Sequence, residues 1–90
     1  MRYDLIPPEA LRALAEVLTY GARKYGDRNW EQGLDWSRPY AAGQRHLWAW
    51  WAREGTDPET GLSHLAHAIC NLAMLIHHEQ KLDELDDRPQ

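Results

Sequence analysis

Apolar residues recur at helical intervals in three stretches of the chain. Leu11, Leu14, Ala15, Leu18, Ala22 and Tyr25 form one stripe, with Glu9, Arg12, Glu16 and Arg23 on the opposite face. Pro7-Pro8-Glu9 places proline and an acid in a first turn, and Gly26 supplies a stop, so the first helix is predicted between them. Ser37 before Arg38-Pro39 reads as the N-cap of a second helix running to about Glu54, with Gly55 as its stop. Gly43, Leu47, Trp50, Trp51 and Glu54 share one face of it, and Gly43 admits close approach of a neighbouring helix. Asp57-Pro58-Glu59 resembles the N-cap, N1 and N2 positions of a third helix, whose core face is Leu65, Ile69, Leu72, Ala73 and Ile76. The acidic tail from Lys81 to Gln90 is expected to fray into solvent. With no repeat or low-complexity segment, the pattern predicts a single all-α domain over residues 1–90 with three main helices.

Composition changes this picture in one respect. Ninety residues with five tryptophans, four tyrosines and no phenylalanine offer much apolar area but a small core, so the bundle is expected to be completed by self-association as a homo-oligomer. Cys70 is the only cysteine, which excludes an intrachain disulfide and fits a reducing, cytoplasmic compartment; the same spacing makes it a packed residue. No signal-peptide hydrophobic region opens the chain. The uncharged run Thr60–His78 is long enough for a membrane span but holds four histidines, an asparagine and a serine, so no membrane is expected as partner. Residues 1–53 hold eight Lys/Arg against six Asp/Glu, and residues 54–90 hold two against eight. That split, +2 beside −6, argues against a duplex nucleic-acid surface and for carboxylates that hold a cation beside arginines that hold phosphate.

The candidate chemistry is concentrated between residues 54 and 71. Glu54, Asp57 and Glu59 place three carboxylates in six residues, and His64, His67 and Asn71 follow at spacings that share one helix face. Capping accounts for one acid at a helix entry, and three exceed that need. A carboxylate on an apolar face at a helix C-terminus, as Glu54 is, wants a cation. His77 and His78, near the helix end, are expected to be exposed and receive no role. Upstream, Arg23, Lys24 and Arg28 cluster at the end of the first helix, and Asn29-Trp30 continues into a polar loop that also contains Trp36. Such a loop suits base stacking with charge-assisted bonds to phosphate, while indoles capping the core ends explain it equally.

Three readings follow. Magnesium takes hard oxygen ligands and substrate phosphates, so a metal-dependent phosphohydrolase would use Glu54, Asp57, Glu59 and His64 at the metal. In that reading His67 and Asn71 orient water, and Lys24, Arg28, Asn29, Trp30, Arg45 and His46 meet the substrate. His64-x-x-His67 with a nearby carboxylate would instead make a two-His, one-carboxylate site for zinc, iron or manganese. Finally, His64, His67 and Asn71 would serve a non-catalytic oligomerisation module as a buried polar network.

A resemblance bears on the choice. The blocks Gly21-Ala22-Arg23-Lys24-Tyr25-Gly26-Asp27-Arg28-Asn29-Trp30, Arg45-His46-Leu47, Glu54-Gly55-Thr56-Asp57-Pro58-Glu59-Thr60-Gly61 and His64-Leu65-Ala66-His67 with Asn71 resemble the phage-associated N-terminal domain of dATP/dGTP diphosphohydrolases over about residues 3–80. The likeness implies, more distantly, the MazG-like all-α pyrophosphohydrolases, which cut a dNTP to dNMP and pyrophosphate with magnesium and form helical oligomers. It implies a purine dNTP as substrate, Mg2+ as cofactor with Mn2+ the alternative ion, and the cytoplasm of a bacterial or phage-infected cell as the setting. The Glu-Glu-x-x-Glu run of the MazG type is absent, and Glu54 is the only acid in the predicted second helix. Either the metal shell is rearranged here, or the domain is an accessory part whose catalytic half lies elsewhere.

Overall fold

A computed structural model describes residues 1–90 and contains three α-helices: α1 over Pro8–Tyr25, α2 over Ser37–Trp51 and α3 over His64–Lys81. Short 3-10 turns lie at Tyr3–Leu5, Asn29–Gln32 and Asp83–Leu85. The fold is all-α, with α3 packed between α1 on one side and α2 on the other. Gly26, at φ 98°, ends α1 with its N–H bonded to the Ala22 carbonyl, as a glycine stop should. Gly43 is the close-approach point of α2 against α3, because a Cβ added there would lie 3.3 Å from the Asn71 Cβ.

The apolar core is thin. Val17, Ala66 and Cys70 form its buried centre, with Leu14, Leu18 and Met74 packed around it. Leu11 and Tyr25, the ends of the expected α1 stripe, are exposed, and burial centres instead on Val17. On α3 the expected core residues Leu65, Leu72 and Ile76 also face outward, while the smaller Ala66, Ala68 and Cys70 are buried. An α3 flanked on two sides buries small residues where backbones approach, and its third side stays open.

Two boundaries differ from the sequence expectation. The second helix stops at Trp51, because Arg53 turns left-handed at φ 69° and the chain reverses. Asp57 does not cap the third helix: its carboxylate accepts the Thr60 N–H at 3.1 Å within a tight turn, and Gly61 at φ 73° closes that turn. The Asp57 N–H and Leu62 carbonyl pair at 2.8 Å and Thr56 bridges Ser63, so residues 54–63 form a hydrogen-bonded hairpin. Ser63 then caps α3, its hydroxyl accepting the Leu65 N–H.

The tail is clasped rather than frayed. Asp87 accepts hydrogen bonds from the backbone N–H and the hydroxyl of Ser37, which places a carboxylate at the N-terminus of α2. The buried Trp36 donates its indole N–H to the Leu82 carbonyl at 3.2 Å, and the Arg88 guanidinium lies 4.8 Å over the Trp36 ring. Ser37 therefore opens α2 with its hydroxyl turned to the tail. No helix is long and apolar enough to cross a membrane.

Candidate functional site

Eleven of the 90 residues are buried, and four of them are His46, Asp57, His64 and His78, so the interior holds ionisable groups almost as often as apolar ones. Buried polar groups are tolerated only where each has a partner. For His46, Asp57 and His64 the hairpin and the facing turn of α2 supply those partners. His64, 1 % exposed, contacts the Glu54 carboxylate through Nε2 at 2.7 Å and His46 Nδ1 through its own Nδ1 at 2.8 Å. With Nε2 engaged by the Glu54 carboxylate, the His64 Nδ1 faces the His46 Nδ1, and one nitrogen of that pair donates to the other. The His46 ring stacks on His67 with centroids 4.5 Å apart, and His67 Nε2 meets the Thr60 hydroxyl at 2.8 Å. Asn71 donates to the His67 carbonyl at 2.9 Å.

The ligating atoms of His46, Asp57 and His64 all lie within 4.8 Å of one another, and all three residues are buried. Burial pushes the His46 ring down to a pKa of about 4, with His67, Arg45 and His64 pressing the same way. Burial also lowers His67, against the pull of the Asp57 charge, so both rings are neutral at neutral pH. Burial alone would raise the Asp57 carboxyl, but the Thr60 hydrogen bonds, with His67 and His46 nearby, outweigh it and leave Asp57 below its usual range.

Beside this cluster opens a cavity of about 800 Å³ between α1, the Asn29–Gln32 turn, α2 and α3. Its size falls within the ~300–1,000 Å³ of small-molecule sites. Lys24, Arg28, Asn29, Trp30 and Arg45 line it together with His46, Asp57, Glu59, Thr60, His67 and Asn71. The inner end is apolar, with Val17, Leu18 and Met74.

The structure thus draws most of the sequence candidates to one place, with three differences. Glu54 and His64 are not part of the cavity lining; Glu54, half exposed, is the hydrogen-bond partner of His64 from outside. Glu59 stands apart from the buried cluster because its exposed carboxylate pairs with Lys24 at 3.3 Å. His46, expected at the substrate, is instead a central member of the buried cluster, and it rather than His67 is the imidazole adjoining His64. Trp30 is half-buried, its ring edge-on to His77 at 4.8 Å.

Sequence reasoning also missed His78. Expected in solvent, it is 1 % exposed and lines the cavity; its Nε2 reaches only the Trp30 carbonyl at 3.4 Å, and its Nδ1 has no partner. The signal was its spacing of four from Met74 and eight from Cys70, which places it on their stripe.

Residues 1–88 match the family described as "dATP/dGTP diphosphohydrolase, N-terminal". The chain is 38% identical over 85 residues to a dATP/dGTP diphosphohydrolase of Salmonella phage PMBT28. That alignment covers 94% of this chain but 29% of the relative, so the chain spans under a third of the relative's length. No solved structure matches it.

Proposed function

Because the chain belongs to the dATP/dGTP diphosphohydrolase N-terminal domain family, we propose that it binds a purine deoxynucleoside triphosphate and hydrolyses it to the monophosphate and pyrophosphate. The observation that carries this reading is the shared cavity. The cations Lys24, Arg28 and Arg45 open onto the same space as Asp57, Glu59, His67 and Asn71.

A triphosphate needs both kinds of group. Guanidinium and ammonium groups neutralise its charge through hydrogen bonds stronger than neutral ones. Magnesium, with manganese the alternative, would accompany the phosphates, and Asp57 and Glu59, two of the three carboxylates on the cavity wall beside Asp27, would suit a cation which keeps most of its shell as water and phosphate oxygen. When bound, such a dication draws charge from the phosphates and lowers the pKa of water. Water oxygen attacks the α-phosphorus, the bond to the bridging oxygen of the β-phosphate breaks, and pyrophosphate leaves. His67, kept neutral by burial, accepts the proton of the attacking water at Nε2 in place of the Thr60 hydroxyl. Asn71, with its amide N–H committed to the His67 carbonyl, offers its oxygen to that water. Glu54 acts from behind, orienting His64. Trp30 and Asn29, at the rim, meet the base and sugar.

The exposed Tyr40, Leu47, Leu72 and Ile76 support self-association, since a second copy would cover them. The setting is the cytoplasm of a bacterial or phage-infected cell.

The test is incubation of the chain with each dNTP and magnesium, reading pyrophosphate and dNMP. Release from dATP and dGTP by the wild type, lost in Asp57→Asn and His67→Ala, upholds the proposal. Folded protein that binds these nucleotides without releasing pyrophosphate would leave an accessory nucleotide-binding role, a reading favoured by how little of the relative's length the chain spans. No binding at all overturns both.

A further inference from the structure

The cavity does not account for the cluster behind it. Two imidazoles whose Nδ1 atoms face each other at 2.8 Å are unusual packing for an interior with so little apolar material. His64 is held from its far side by the Glu54 carboxylate, which fixes its protonated nitrogen outward and its lone pair inward. Metal-bound histidines are built this way: the second ring nitrogen donates to a carboxylate, which sets tautomer and orientation. Asp57 brings a carboxylate oxygen to the same point while its turn hydrogen bond locks the backbone. A tetrahedral dication with ligand distances of about 2.0–2.2 Å sets its donor atoms roughly 3.3 Å apart. The observed spacings, from 2.8 Å to at most 4.8 Å, lie on either side of that figure.

We propose that His46, His64 and Asp57 bind a resident transition-metal dication of the zinc or cobalt class, distinct from the magnesium that accompanies the triphosphate. Two nitrogens and one carboxylate are a borderline donor set, which suits these ions and not magnesium. Three protein ligands leave a coordination position open. His46 and Asp57 both reach the cavity wall, so the site would adjoin the space proposed for the phosphates. The site stands on donor geometry alone and does not depend on the hydrolysis reading. Glu54 in this account is a positioning residue acting through His64.

The experiment uses the full chain without nucleotide. Protein is stripped with chelator and titrated with Co2+ and with Zn2+, following visible absorption, bound metal and circular dichroism. The expected result is about one metal per chain, a cobalt d–d band and a raised melting temperature. His46→Asn and Asp57→Asn should lose the band, while His77→Gln should keep it. Glu54→Gln should keep the stoichiometry but bind about 10–100-fold more weakly, as loss of an outer carboxylate does. Should His46→Asn fail to fold, the wild-type titration still decides. Wild type that takes up neither ion at stoichiometric concentration, or variants that lose it no more than His77→Gln does, overturns the site. A cobalt band in protein that releases no pyrophosphate would uphold the metal site while removing the catalytic reading.

Discussion

The two sides of α3 are built on opposite terms. Toward the 54–63 hairpin the chain buries His46 and His64 and half-buries His67, each tied to a named partner. Away from it, Leu65, Leu72 and Ile76 lie exposed alongside Tyr40 and Leu47 of α2, and Trp48 and Trp51 point outward further along α2. A chain that only needed stability would do the reverse, since apolar burial is favourable and polar burial is tolerated only when satisfied. The first side therefore buries polar groups that are each satisfied, and the second leaves large apolar side chains exposed.

The sharpest way to break that contrast is to remove a central imidazole. His64→Ala strips both Glu54 and His46 of their partner and leaves a void, and should cost about 2–4 kcal/mol in a denaturant titration. Trp51→Ala on the open side should change monomer stability by less than about 0.5 kcal/mol. Equal costs would erase the distinction.

A second, smaller effect concerns Gly33, which follows the Asn29–Gln32 turn and lines the cavity. Gly33 sits at φ 80°, and a Cβ there would meet Leu82 and Leu85 side-chain atoms at 2.6 Å. Gly33→Ala should destabilise by about 1–2 kcal/mol, measurable as a lowered melting temperature.

Acid should act on the polar side alone. His46 and His67 have folded pKa values below that of a free imidazole, so the unfolded chain binds protons that the folded chain refuses. Their contribution is intact above the unfolded value near 6.5 and is lost as pH falls toward the folded His46 value of about 4. Melting temperatures of metal-free protein between pH 8 and 4 should fall across that window, and a His46→Phe variant that folds should show a shallower fall.

Much of this was legible in the sequence, for identifiable reasons. Three helices, the Gly26 stop and the Gly43 contact follow from local spacing and backbone freedom, which act within a few residues. The convergence of Asp57, Glu59, His67 and Asn71 with Arg45 on one cavity was also readable, since a helical hairpin returns its arms to each other, whereas Lys24 and Arg28 arrive from α1 and the loop after it. The start of α3 was not, because Asp57-Pro58-Glu59 suits a tight turn as well as a helix cap, and Gly61 decides between them. The Asp87 clasp joins residues 50 apart, beyond any local pattern. His46 was assigned to the substrate and His78 to solvent because polarity was read before position. Both sit on inward stripes, beside Gly43 and Met74 respectively.

The smallest expected effect is the most informative about the open side. Leu72→Ser should leave the fold intact, while the sedimentation coefficient should fall to the monomer value if a second copy covers that face.

The account's central claim, that one cavity holds the nucleotide, is tested most directly by calorimetric titration of dGTP and dATP into wild type and Arg45→Ala with magnesium present. Loss of a charge-assisted phosphate contact should weaken binding about 10–100-fold. Undiminished affinity in Arg45→Ala, and again in Lys24→Ala, would place the nucleotide elsewhere and contradict the claim.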